Sequence, residues 1–139
     1  MISETELSIN RLRDGWSLDD VLEQAQLPEL GKFMMKFIYR KSISVDALAG
    51  LADLNKSTVY RICDNRMHPS SNVLIRLSRV LDMSIEDTQK LLKCGNLPTL
   101  SGERKRDLII MNGIINNDDI MSINDDLIAH DFPDLFSNR

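Results

Sequence analysis

Apolar side chains recur at three- and four-residue steps along most of the chain, and nowhere do they alternate strictly with polar ones. That pattern predicts helices throughout and no half-buried strand. In "LPELGKFMMKFIYRK", Leu30, Phe33, Met34, Phe37 and Ile38 fall on a common side, with Pro28 placed to start the helix. Capping residues and prolines separate the helices beyond it. Ser44 is placed to cap "VDALAGLA", Asn55 to cap "KSTVYRICD", and Ser84 with Asp87 makes a capping box for "IEDTQKLLKC". Pro69 and Ser70 precede "SNVLIRLSRVLD". Five helices are therefore expected from about residue 28 to 94.

The flanks carry weaker versions of the same pattern. "SLDDVLEQAQ" reads as a short amphipathic helix capped by Ser17, preceded by a turn or two within "ETELSINRLRD", with Trp16 packing there. Behind the five helices, "GNLPTLSG" is a turn-rich linker, followed by two helix candidates, "ERKRDLIIMNGIIN" and "DIMSINDDLIAH", and closed by "DFPDLF". The expected organisation is an all-α chain: an N-terminal helical extension over 1–28, a five-helix domain over 29–94 and a C-terminal helical extension over 95–139.

Composition narrows the chemistry. A chain of 139 residues, 42% hydrophobic and 27% charged, can bury a core and is not of the disordered class. Its longest apolar runs fall far short of the roughly 20 residues that cross a bilayer. The acidic start "MISETELS" is unlike a secretory signal, so no membrane contact and a cytoplasmic location are expected. Cys63, Cys94, His68 and His130 stand apart, without ligand spacing, and no metal, disulfide or cofactor is expected. No glycine-rich phosphate loop or Ser/His/Asp arrangement is present, and an enzyme is not expected.

The net charge of −4 hides an uneven distribution. Residues 1–28 carry two basic side chains against six acidic ones, residues 29–94 eleven against seven, and residues 95–139 four against eight. The acidity lies in the flanks, so the middle of the chain can still address a polyanion. Within that middle, the helix after Asn55 places Val59 and Ile62 on one side. Lys56, Ser57, Tyr60, Arg61 and Asp64 spread over the other. Long cationic donors, a hydroxyl and an aromatic with a polar tip are groups that can reach phosphates and base edges in a major groove.

The stretch "ISVDALAGLADLNKSTVYRICDNRMHPSSNVLIRLSRVLDMSIEDTQKLL" resembles the helix-turn-helix domain of the phage Cro and repressor type, the XRE family. Matching features occur in order: Ile43 and Ser44 opening the first motif helix, Leu48 and Ala49 at the tight helix contact, Leu54 closing the turn, and "STVYRI" as recognition helix. "HPS" then stands before the fourth helix, "LIRLSRVLDMS" spans that helix and its exit, and Ile85 enters the fifth. The resemblance implies a sequence-specific regulator of double-stranded DNA, a repressor rather than an activator. Lys56, Ser57 and Arg61 would read bases, with Lys41, Ser44, Asn55, Thr58, Tyr60, Asn65 and Arg66 at the groove or its phosphates.

Three departures from the family pattern stand out. Val45 occupies a position where a glutamine commonly braces the recognition helix, Asp53 and Asn65 replace turn glycines, and Asp64 sets a carboxylate on the phosphate side. Because the family reads two-fold sites, a homodimer is implied. Leu108, Ile109, Met111, Ile114 and Ile115 offer more apolar surface than one stripe needs and are the dimerisation candidates. The competing expectation is a protein-interaction adaptor or antitoxin-like regulator that keeps this fold and binds a protein partner through its acidic flanks.

Overall fold

The computed structural model describes residues 4–24 and 28–136, and those residues form helices joined by turns, without a strand. They are α1 (Glu4–Arg13), α2 (Leu18–Gln24), α3 (Leu30–Lys41), α4 (Val45–Leu51), α5 (Lys56–Cys63), α6 (Ser71–Val80), α7 (Ile85–Cys94), α8 (Lys105–Ile115) and α9 (Ile120–Ala129). The five expected central helices are α3 to α7. The segment "ETELSINRLRD" forms a complete helix, longer than the turn or two expected.

Starts and stops of these helices share a common chemistry. Ser44, Ser70, Ser84 and Asp119 accept a hydrogen bond from the backbone N–H three residues on, and Ser17 does the same for Asp20 at 3.2 Å. Asn55 stands at the N-cap of α5, but its side chain makes no capping bond. At the other ends, Ser42, Asp53, Asn65, Asp82, Asn96, Asn117 and Asp131 adopt left-handed backbone with φ between 52 and 61°. The residue after each donates its N–H to the carbonyl five positions back, at 2.8–3.4 Å. This is the Schellman arrangement, reached here with Ser, Asp and Asn in place of glycine.

One buried cluster runs from Leu30 to Leu135 and takes in every helix from α3 to α9. At its centre α6 is enclosed on nearly all sides, and Asn72, Leu74, Ile75, Arg76, Leu77, Ser78 and Arg79 are all buried. Two buried arginines require partners, because an unpaired buried donor costs about 1–3 kcal/mol. Arg76 donates from Nε to the Ala52 carbonyl at 3.0 Å and from Nη1 to the Leu135 carbonyl at 2.7 Å, with its guanidinium 5.0 Å from the Phe136 ring. Arg79 donates to the carbonyls of Asp118 and Met83 and to the Asn117 amide oxygen. Burial pulls both guanidinium pKa values below their ordinary range.

These bonds fasten the C-terminal residues onto the central helices. Arg106 adds to them, donating to Asn72 on α6 and to the carbonyls of Pro133 and Asp134. The turn-rich stretch before α8 is likewise held: the Gln89 side chain of α7 bonds both the N–H and the carbonyl of Leu100, each at 2.8 Å. α8 and α9 then pack closely, since Gly113 leaves no room for a Cβ beside Ile123. At the other end of the chain, α1 and α2 pack on each other. Trp16 stays partly exposed there, with the Arg11 guanidinium 5.0 Å from its ring.

Candidate nucleic-acid interface

α4 and α5 form a tight pair because the residues between their axes are small or fully buried. Leu48 and Ala49 of the first, with Ala52 at its C-cap, and Val59 and Ile62 of the second are all at 2% exposure or less. The four-residue turn between them closes through Asp53, with φ 56°, and the Leu54 N–H bonded to the Ala49 carbonyl at 2.9 Å. α3 approaches α5 from the other side. Gly31 lies against the Cys63 carbonyl so closely that any Cβ would overlap it.

With Val59 and Ile62 committed to the core, the rest of α5 is turned outward as the periodicity predicts. Lys56, Ser57, Tyr60 and Arg61 are exposed and Thr58 is half-buried. Neither Lys56 nor Arg61 enters an ion pair among the described residues, so both cationic heads remain available. Tyr60 is less free: its hydroxyl donates to Asp46 Oδ1 at 3.3 Å, and the charge of Asp46 raises the phenol pKa. Val45 is half-buried against the core. The polar link between the two motif helices therefore runs from Tyr60 to Asp46, the neighbour of the position where a bracing glutamine was expected.

Other sequence-predicted residues separate into those at this face and those drawn into the fold. Ser44 caps α4 at its exposed start, and Asn55 and Arg66 are exposed on either side of α5. Asn65 has the left-handed backbone expected of it, but its side chain is occupied. Its amide oxygen accepts from the Gly31 N–H at 2.8 Å, and its amide nitrogen donates to Glu29 at 3.1 Å, clipping the start of α3 to the exit of α5. Lys41 is paired with Asp82 and lies in the cleft between α4, α6 and α9. Of the dimerisation candidates, Ile114 is buried in the chain's own core at 4% exposure. Ile109 and Met111 pack against it, and Leu108 and Ile115 are exposed.

Sequence reasoning missed Asp46, because an acidic residue in the first turn of a helix is unremarkable in a pattern. It also counted Arg76 and Arg79 among the cations of the middle segment, whereas both are buried in α6 and add nothing to an exposed basic face. No group of three or more His, Cys, Asp or Glu able to hold a metal occurs among the described residues. Cys63 and Cys94 are half-buried free thiols whose pKa burial pushes up. Among the described residues, no helix is long and apolar enough to cross a membrane.

Residues 34–90, from the first turns of α3 to the body of α7, match the family model of the Cro/C1-type HTH DNA-binding domain. Among curated proteins and among solved structures, none matches the chain.

Proposed function

We propose, from the premise that residues 34–90 are a Cro/C1-type helix-turn-helix DNA-binding domain, that the protein is a sequence-specific repressor of transcription that binds duplex DNA as a homodimer. α5 enters the major groove. Lys56, Ser57 and Arg61 address base edges, and the exposed start of α4 at Ser44, with Asn55 and Arg66, faces the phosphates. The observation that carries this reading is the outward row on α5, two unpaired cations and a hydroxyl, held on a helix whose opposite side is fully buried. Such a rigid presentation is what base reading requires, since a misplaced donor loses its hydrogen bond.

Selection of bound duplexes from a randomised pool at about 0.15 M salt, where non-specific attraction is already weakened, tests it. Recovery of an inverted repeat with half-sites about one helical turn apart is the expected result. A folded sample that enriches no sequence would sink it. The alternative in that case is a protein-binding regulator built on the same fold. It draws support from the N-terminal helices, where Leu7, Ile9, Leu12, Trp16 and Leu18 are exposed amid acidic neighbours.

A further inference from the structure

We propose that the groove between α6, α8 and α9 is a peptide-recognition site, and that two copies of this chain dimerise by exchanging the C-terminal segments, residues 132–136, that fill it. The groove holds its segment as a protein holds a bound peptide. Past Phe132, whose N–H bonds the Leu127 carbonyl, the main chain of the described residues bonds only to side chains. Arg106 of α8 donates to the carbonyls of Pro133 and Asp134 at 2.9 and 3.1 Å, and Arg76 of α6 donates to the Leu135 carbonyl at 2.7 Å. Asn124 of α9 accepts from the Leu135 N–H at 2.8 Å. Three consecutive residues are thus read by side chains of three helices. Leu135 alone is fully buried, whereas Asp131, Pro133 and Phe136 are exposed. The Asp134 carboxylate accepts from the Phe136 N–H at 3.0 Å, and the Phe136 ring lies 5.0 Å from the Arg76 guanidinium. The site therefore fits a Pro-Asp-Leu-aromatic segment, and every copy of the chain carries one.

The connection to α9 favours exchange over closure within one chain. Only residues 130–132 separate the end of α9 at Ala129 from the first groove bond at Pro133. Asp131 among them is left-handed, with φ 61°, and Pro133 confines Phe132 to extended backbone. A short, tightly turned hinge invites swapping, because the segment keeps its groove contacts on a neighbour and sheds the turn. Closure also leaves a defect: Asn124 Nδ2 is buried beside the bond to Leu135 with no acceptor among the described residues. A segment that arrives from a second copy is not tethered by that turn and can bring an acceptor to it. Reciprocal exchange fills both grooves and closes on a two-fold axis, the symmetry of an inverted repeat. This inference rests on the homodimer reading and gives it an interface.

Sedimentation velocity of the full chain, without DNA, tests it against a variant with Gly-Ser-Gly-Ser inserted between Asp131 and Phe132. The longer hinge lets each segment close on its own groove, so the dimer dissociation constant should rise roughly tenfold or more. A second measurement uses full-length Leu135→Asp, whose own segment cannot seat. A fluorescein-labelled peptide of residues 130–136 should bind it saturably in anisotropy, and the same peptide with aspartate in place of its leucine should not. Where Leu135→Asp does not fold, the hinge comparison decides alone. A wild-type chain that stays monomeric up to about 1 mM, the effective concentration of a tethered segment, overturns the proposal. So does a folded Leu135→Asp chain that ignores the peptide. A wild-type dimer indifferent to hinge length also overturns it, while leaving the homodimer reading in place with its interface elsewhere.

Discussion

A carbon atom added at Gly31 would overlap the carbonyl oxygen at the end of α5, where the helix is backed by rigid main chain and not by a side chain able to rotate away. Gly31→Ala should therefore cost about 1–3 kcal/mol in urea unfolding, as overpacking does, and should displace α5 from α3. Asn65 holds the same junction with its amide. Asn65→Gly keeps the left-handed backbone but loses the bonds to Gly31 and Glu29, so a loss of about 1–2 kcal/mol would come from the clip and not from the turn. Sequence reading found the backbone role of Asn65, because Asn at a helix exit signals φ > 0. The side-chain role was hidden, since Gly31 and Glu29 lie more than thirty positions away in the chain. For Arg61, the expectation is functional. Arg61→Ala should weaken a selected site by about 1–3 kcal/mol and random duplex much less, whereas Arg66→Ala should weaken both alike. Equal losses for Arg61→Ala in fluorescence anisotropy would remove it from base reading.

At the scale of an element, α6 shows where hydrophobic patterning stops being informative. Its boundaries and its apolar stripe are legible, because Ser70 caps it and Leu74 and Leu77 recur at helical spacing. Its arginines are not, because a charged residue in a pattern reads as solvent-facing unless its acceptors are known, and here these acceptors are carbonyls at the exits of α4, α6 and α8 and near the chain's end. Arg76→Met keeps the bulk but leaves the Ala52 and Leu135 carbonyls unpaired, and should cost about 2–4 kcal/mol. α9 responds to acid through its cap. The bonds from Ser122 hold the Asp119 carboxyl below its ordinary value of 3.8, so the charged cap stabilises the fold at neutral pH and that contribution is lost as pH falls through the lowered pKa. The difference in melting temperature between wild type and Asp119→Ala should accordingly narrow as the pH falls below 3.8. A difference that stays constant would mean that the carboxylate charge plays no part in the cap.

Across the whole molecule, the distribution of buried side chains argues that the C-terminal residues are integral to the motif-bearing helices while the N-terminal pair is an addition. Ile110, Ile114, Ile123, Leu127 and Leu135 lie in the same cluster as Leu48 and Ile62, the acceptors of Arg76 and Arg79 come partly from residues beyond 115, and Arg106 of α8 donates to Asn72 of α6. The apolar excess of "LIIMNGII", read from the sequence as surface for a partner, is in good part consumed here, because a long-range destination for a stripe cannot be told from an intermolecular one by periodicity. Deleting residues 1–27 should leave a cooperative thermal transition, since α1 and α2 pack chiefly on each other. Ending the chain at 102 should abolish it: the core would be opened along α7, and Arg79 would lose two of its three acceptors. Circular dichroism melts of the two truncations decide the matter. A cooperative transition in the chain ending at 102 would show that α3 to α7 hold together without the arginine bonds, and would return α8 to the role of a partner-facing helix.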